Sequence, residues 1–178
     1  NLKEYLKPYK LDGRKEKLAK VYEKKFNEIE VWDGDLIIKE LPITSLGRIR
    51  IIKGSLYLRN NKTLKSLGNL EIVEGSSFLE LSNIEDLGNL KEVNGGLYLD
   101  DNKSLKSLNK LEKIRCNLSL ENTELNDLGE LKYIGINIYL ENSKLDNIGK
   151  LEYVGRGWYD DSKNLKQLYL DRIKNKEK

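Results

Sequence analysis

The chain has 178 residues, 34% of them charged, yet 32 Lys and Arg against 29 Asp and Glu leave a net charge of only +3. That near-balance demands neither nucleic acid nor an anionic membrane as partner. A single cysteine, Cys116, and no histidine exclude an intrachain disulfide framework and leave no zinc cluster, and no apolar run approaches the ~20 residues of a membrane-spanning helix.

Residues 1–33 stand apart from the rest of the chain and are expected to cap it. Leu18, Val21, Tyr22, Phe26 and Ile29 recur at spacings of three and four with Lys and Glu between them, which predicts an amphipathic helix from Gly13. Asp12-Gly13 reads as its leading turn, while Pro8 limits any helix built on Leu2, Tyr5 and Leu6. A basic docking helix using Lys15, Lys17, Lys20, Lys24 and Lys25 is the alternative reading. Residues 1–30 hold no uninterrupted apolar segment of the kind a secretory leader needs, and the compartment stays open.

From Gly34 onward one unit recurs, cleanest in Leu87-Gly88-Asn89-Leu90-Lys91-Glu92-Val93-Asn94-Gly95-Gly96-Leu97-Tyr98-Leu99. Its L-G step falls at Leu46-Gly47, Leu67-Gly68, Leu87-Gly88, Leu128-Gly129 and Ile148-Gly149, with Leu108-Asn109 where glycine is missing. A step of 20 or 21 residues is a solenoid period. Leu36, Leu56, Ser77, Leu97, Leu118, Ile138 and Trp158 form one apolar column, and Ile38, Leu58, Leu79, Leu99, Leu120 and Leu140 another, ended by Asp160. Ile49, Leu70, Leu90, Leu111, Leu131 and Leu151 form a third, with Ile52, Val73, Val93, Ile114, Ile134 and Val154 three residues further on. Leu-x-Leu alternation predicts a short strand in each coil of a parallel sheet. The residue after each leucine step should be left-handed, since Asn ranks next to Gly in tolerance of that conformation.

Asn60, Asp101, Asn122 and Asn142 share one column after the strand and read as a buried polar ladder that satisfies turn backbone. In the irregular last coil Leu165, Leu168, Leu170 and Ile173 are expected to close the core. The solenoid is thus placed at residues 34–170 and a basic tail at 171–178.

The pattern L-x-x-L-G-N-L-x-x-V-x-G-x-L-x-L, intact from Ile84 to Leu99, resembles leucine-rich-repeat proteins, in particular the bacterial and viral relatives of receptor L domains. The resemblance implies a right-handed parallel solenoid of about seven coils, mainly β, over about residues 34–170. It also implies a recognition scaffold, since that family shares no catalytic residues. No segment between strands is long enough for a helix, so the side opposite the sheet should carry turns or short strands.

No triad, Walker, Rossmann or H-E-x-x-H pattern is present, and neither an enzyme nor a cofactor is expected. The outward strand positions carry the functional expectation because core packing does not dictate them. One column reads Ile37, Tyr57, Phe78, Tyr98, Ser119, Tyr139 and Tyr159; beside it run Lys39, Arg59, Glu80, Asp100, Glu121, Glu141 and Asp161. Aromatic area next to ordered charge suits a protein partner. Carbohydrate binding on the same stripe is the alternative, and a structural docking component the second. Acids beside the aromatics disfavour single-stranded nucleic acid.

Overall fold

The computed structural model describes residues 13–160 and 163–176; the expectations on Leu2, Tyr5, Leu6, Pro8, Asp12 and Asp161 lie outside them. Each coil supplies two short strands joined by a tight corner: β1 (Val31–Trp32) and β2 (Leu36–Ile37), β3 (Ile51–Ile52) and β4 (Leu56–Tyr57), β5 (Ile72–Val73) and β6 (Ser77–Phe78), β7 (Glu92–Val93) and β8 (Leu97–Tyr98), β9 (Lys113–Ile114) and β10 (Leu118–Ser119), β11 (Tyr133–Ile134) and β12 (Asn137–Tyr139), and β13 (Tyr153–Val154) and β14 (Gly157–Tyr159). Odd-numbered strands form one seven-stranded parallel sheet and even-numbered strands a second, both in coil order. From first strand to last this is a β-solenoid of six turns, and of the turns or short strands expected away from the even-strand sheet, short strands are found in the odd-strand sheet.

Register obeys the leucine columns: Leu36 pairs with Leu56, Leu56 with Ser77, Ser77 with Leu97, and so on to Ile138 with Trp158. The two apolar columns point inward as far as the sixth coil, and Leu36, Leu56, Leu97, Leu118 and Ile138 are fully buried. Ser77 shares that column and is buried too, with its Oγ lacking a hydrogen-bond partner.

The corner after each leucine step explains the L-G signature. Gly47, Gly68, Gly88, Asn109, Gly129 and Gly149 all have φ between +49° and +59°. The residue two before each one caps its N–H: Ser45, Ser66 and Ser107 accept through Oγ, Asp86 and Asp127 through Oδ1, and Asn147 through Oδ1, at 2.7 to 3.2 Å. A short polar side chain, a leucine and a left-handed residue therefore act together as one corner.

The expected asparagine ladder is displaced by one residue. Asn60, Asp101, Asn122 and Asn142 all have positive φ, together with Glu40 and Leu81 of the same column, and none of them is buried. They are there for the backbone conformation, which Asn and Asp tolerate best among non-glycine residues. The buried ladder is the next column: Asn61, Ser82, Asn102 and Thr123. Where the coil has an extra residue, the longer Asn reaches across: Asn61 Nδ2 donates to the Leu41 carbonyl (2.7 Å) and its Oδ1 accepts from the N–H of Leu64 (2.9 Å). Asn102 turns its amide nitrogen to the carbonyls of Ser82 and Ile84, at 2.8 and 3.2 Å. In shorter coils a hydroxyl suffices, with Ser82 donating to Leu79 O (2.7 Å) and Thr123 to Leu120 O (2.8 Å).

Helix α1 (Arg14–Phe26) starts after Gly13 and covers the first coil. Its buried face is Ala19 and Phe26, with Tyr22 partly buried, whereas Leu18 and Val21 of the expected apolar set are 39% and 65% exposed. The ring cluster of Tyr22, Phe26 and Trp32 turns that face inward, its centroids 5.7 to 6.3 Å apart. Phe26-Asn27-Glu28-Ile29 then takes the place that Leu46-Gly47-Arg48-Ile49 takes one coil later: Arg48 N donates to Phe26 O at 2.9 Å. Glu23 fastens the helix sideways, accepting from the N–H and hydroxyl of Thr44 at 2.6 and 2.7 Å. Burial pushes its carboxyl up, but these bonds, one from Ser45 N–H and the charge of Lys20 outweigh that and hold it below the ordinary glutamate range. Of the lysines suited to docking, Lys15 pairs with Glu40 at 3.7 Å and Lys25 lies over the Trp32 ring at 4.7 Å.

At the other end the structure corrects the expectation of an irregular coil and a free tail. Residues 163–176 form helix α2 (Lys163–Lys176). Leu165 and Tyr169, one helical turn apart, face the core with Ile173 packed alongside, while Leu168 and Leu170 are rotated out to 48% and 38% exposure. Tyr169 Oη accepts from Val154 N–H at 3.0 Å, and Arg172 donates to the carbonyls of Gly149 and Leu151 at 2.6 and 3.2 Å. The helix thus satisfies main-chain groups that the last coil would otherwise leave open.

Both the corners and the cap can be tested by substitution. Gly68 has open space where a Cβ would go, whereas a Cβ on Gly88 would meet the Gly68 backbone at 2.5 Å. Gly68→Ala should therefore cost about 1–2 kcal/mol for its left-handed backbone alone, and Gly88→Ala clearly more, read from denaturant midpoints; equal costs would show that coil spacing yields freely. Phe26→Ala should lose about 3–5 kcal/mol in the same assay, and a change below about 1 kcal/mol would mean that the helix does not close the core.

Candidate interaction face

The outward positions of the even-strand sheet form two ring stacks. Tyr57, Phe78 and Tyr98 stack at 4.9 and 5.2 Å between centroids, with planes 14° and 5° apart. Tyr139 and Tyr159 stack at 4.8 Å and 12°. The interval matches the spacing of adjacent strands, so the register of the coils itself sets the rings face to face. Tyr98, Tyr139 and Tyr159 lean back over the residue two positions earlier. A Cβ on Gly96 would strike the Tyr98 ring at 2.8 Å and one on Gly157 the Tyr159 ring at 2.8 Å, and Tyr139 Oη accepts from Asn137 Nδ2 at 3.0 Å. Within each run the face presents ring edges, with Tyr57, Phe78, Tyr98 and Tyr139 half-buried and Tyr159 exposed.

Ser119 interrupts the stack. It is 5% exposed and donates from Oγ to Asp100 Oδ1 at 2.5 Å.

The charge column beside the rings is less uniform than its sequence. Arg59 donates to Glu80 Oε1 at 2.6 Å, and Glu80 is only 8% exposed, with Oε2 buried and unpartnered. Asp100, half-buried, accepts on Oδ1 from the N–H of Glu121 (2.9 Å) as well as from Ser119. Burial raises the Asp100 carboxyl above the ordinary aspartate range; those two hydrogen bonds oppose the rise, and Glu80 and Asp101 add to it. Lys39 and Glu141 are exposed, and Glu121 is half-buried. The structure brings together Tyr57, Phe78, Tyr98, Arg59, Glu80, Asp100 and Glu121 on one continuous face, with Tyr139, Tyr159 and Glu141 beyond the Ser119 break.

The odd-strand sheet has a second outward column that the leucine pattern does not announce: Val31, Ile51, Ile72, Glu92, Lys113, Tyr133 and Tyr153. A signal for it is present all the same, since each residue directly precedes an inward Trp, Ile or Val. In its centre Glu92 binds Lys113 at 3.8 Å and Arg115 at 2.8 Å, and Lys113 lies over Tyr133 at 5.5 Å, so the polar groups there already satisfy one another.

Among the described residues no group of three or more Cys, Asp or Glu is arranged to hold a metal ion, and no described helix is long and apolar enough to cross a membrane. Comparison with known proteins leaves the geometry to speak for itself: no family model matches the chain, and neither a curated protein nor a solved structure matches it significantly.

The raised Asp100 carboxyl has a signed consequence. The folded chain holds that proton more tightly than the unfolded chain, so stability falls as pH rises from the ordinary aspartate value to the raised one. Asp100→Asn keeps an acceptor for Ser119 and Glu121 N–H while removing the desolvated charge. It should unfold at an equal or higher urea midpoint at neutral pH and lose that part of the pH dependence; a lower midpoint there would show that the charge stabilises the coil.

Proposed function

We propose that the chain is a non-enzymatic recognition scaffold that holds a protein partner on the outward face of the even-strand sheet. We further propose that its solenoid is of the leucine-rich-repeat kind seen in relatives of receptor L domains, a reading supported by the leucine columns and the left-handed corner after each leucine step. The observation that carries the functional proposal is the run of half-exposed rings, Tyr57, Phe78 and Tyr98, then Tyr139 and Tyr159, bordered by carboxylates. Rigid rings give contact area at little entropic cost, and a column that changes from Lys39 and Arg59 to Glu121 and Glu141 gives a partner one orientation.

Carbohydrate binding on the same stripe draws less support. Sugars stack on ring faces, and within each run the faces are turned toward one another, leaving edges for a ligand.

The test is a quantitative capture with the chain as bait, its Tyr57→Ser, Tyr98→Ser, Tyr139→Ser variant, and a Tyr133→Ser, Tyr153→Ser variant of the odd-strand sheet. Protein partners lost by the first variant and retained by the second support the proposal. Partners retained by the first variant overturn it, and retention of the unmodified chain on a polysaccharide column that the first variant abolishes puts the carbohydrate reading in its place.

A further inference from the structure

The break at Ser119 is the one place inside the aromatic column where ring faces are not covered by a neighbouring ring. Tyr98 precedes it by one coil and Tyr139 comes one coil after, each pairing in register with the Ser119 strand position. Two strand spacings put the two rings about 9.6 Å apart. A flat group midway between them lies about 4.8 Å from each, which is the interval at which the rings of this column already stack, 4.8 to 5.2 Å. Ser119 is therefore a rung without a ring. Ser119 itself is buried, with its Oγ bonded to Asp100, and the floor beside it is the half-buried Asn117, whose Oδ1 accepts from Asn137 N–H at 3.2 Å.

The edge of this rung is acidic. Asp100 accepts both of its hydrogen bonds on Oδ1, leaving Oδ2 available to a donor. One coil before Asp100, Glu80 is already paired with Arg59 at 2.6 Å and its other oxygen is buried, while Glu141, two coils after Asp100, is exposed. An aromatic ring of a partner would fit between the tyrosines and leave the Asp100 carboxylate unanswered. A lysine ammonium would answer Asp100 and is neither flat nor able to stack. A guanidinium does both: it is planar, positively charged, stacks on aromatic faces and pairs with carboxylates through a fork of N–H donors.

Building on the reading of this sheet as a protein-binding face, we propose that the Ser119 rung receives an arginine side chain of the partner, its guanidinium between Tyr98 and Tyr139 and its N–H groups on Asp100. The tyrosine faces supply the sandwich, and the carboxylate fixes which edge of the guanidinium enters. Arginine inserted here completes a stack that runs from Tyr57 to Tyr159. It also accounts for a serine in a column otherwise aromatic from Tyr57 onward.

The experiment is an NMR titration of the full chain, monitoring the ring signals of Tyr98 and Tyr139 and the amide of Ser119. The probes are N-acetyl-arginine amide, its citrulline counterpart, which has the same shape without charge, and its lysine counterpart, which has the charge without the plane. The arginine probe should shift all three sites, with the other two about tenfold weaker. Ser119→Tyr fills the rung and should abolish the shifts. Asp100→Asn should weaken arginine about tenfold while the chain stays folded, which keeps the test decisive where Ser119→Tyr disturbs the coil. Equal shifts from the lysine or citrulline probe, or shifts that survive Ser119→Tyr in a folded chain, overturn the arginine site. That failure is separate from failure of the face itself, which shows as capture insensitive to the Tyr57, Tyr98 and Tyr139 substitutions.

Discussion

Every other feature of this protein depends on one constraint: each coil must hydrogen-bond to the next along two sheets at once. The bonds run from Leu36 N–H to Ser55 O, Leu56 N–H to Ser76 O and Leu97 N–H to Asn117 O on one side, and from Glu71 N–H to Arg50 O and Lys91 N–H to Glu71 O on the other, at 2.8 to 2.9 Å. Two simultaneous ladders leave no freedom in the length or shape of the corners between them. Hence the left-handed residue recurs at a fixed place, the polar cap two residues before it recurs with it, and an added residue is taken up only where Asn61 or Asn102 can bridge the longer loop. The ends of such a stack are its weak points, and the two helices cover them by different means. Phe26 enters the leucine column itself, whereas Tyr169 and Arg172 bond the exposed main chain of the last coil.

What was legible in the sequence is what period and residue type express directly. Leucine columns gave the coils and their register, leaving turns or short strands as alternatives away from the first sheet, and Asn109 in place of glycine gave the left-handed corner. Legibility ended where the signal was of another kind. Asn60 and its column looked buried because buried asparagines do satisfy turns, but the side chain that does so is Asn61; only backbone φ tells the two apart. Phe26-Asn27-Glu28-Ile29 escaped alignment because Phe stands for Leu and Asn for Gly at the point where a helix ends. Helix α2 was missed because Leu165, Leu168, Leu170 and Ile173 were read as closing one more irregular coil, while the backbone had already changed to a helical period. The corner caps Ser45, Ser66, Asp86, Ser107, Asp127 and Asn147 were readable as a column of small acceptors, each directly before the leucine or isoleucine of its corner.

The outward column of the even-strand sheet was legible as a list of residues and not as a surface. Sequence places Tyr, Phe and acids side by side; it does not say that rings in register cover one another's faces, or that Glu80 is buried against Arg59 while Glu141 stays in water. Those facts change the chemistry of the face. Stacked rings behave as an edge-on apolar strip, charge is unevenly available along it, and an interruption becomes a more specific feature than any ring.

Ion pairs between neighbouring coils carry a further consequence for how such an array can grow. Glu30, Arg50, Glu71, Lys91, Glu112, Lys132 and Glu152 occupy one position in successive coils and alternate in sign throughout. Arg50 lies 2.8 Å from Glu71 and 3.9 Å from Glu30, and Lys91 lies 3.0 Å from Glu71. Held between two cations, with its hydrogen bonds from Arg50 and Lys91 foremost, the Glu71 carboxyl is brought down to about 2. Coil length alternates nearly in step, with Asn61 and Asn102 in the longer coils and Ser82 and Thr123 in the shorter ones. Copying a single coil would set like charges one strand spacing apart and bring two coils of equal length together; copying an adjacent pair would preserve both patterns. The smallest unit that can be repeated without breaking the charge alternation is thus a doublet of coils.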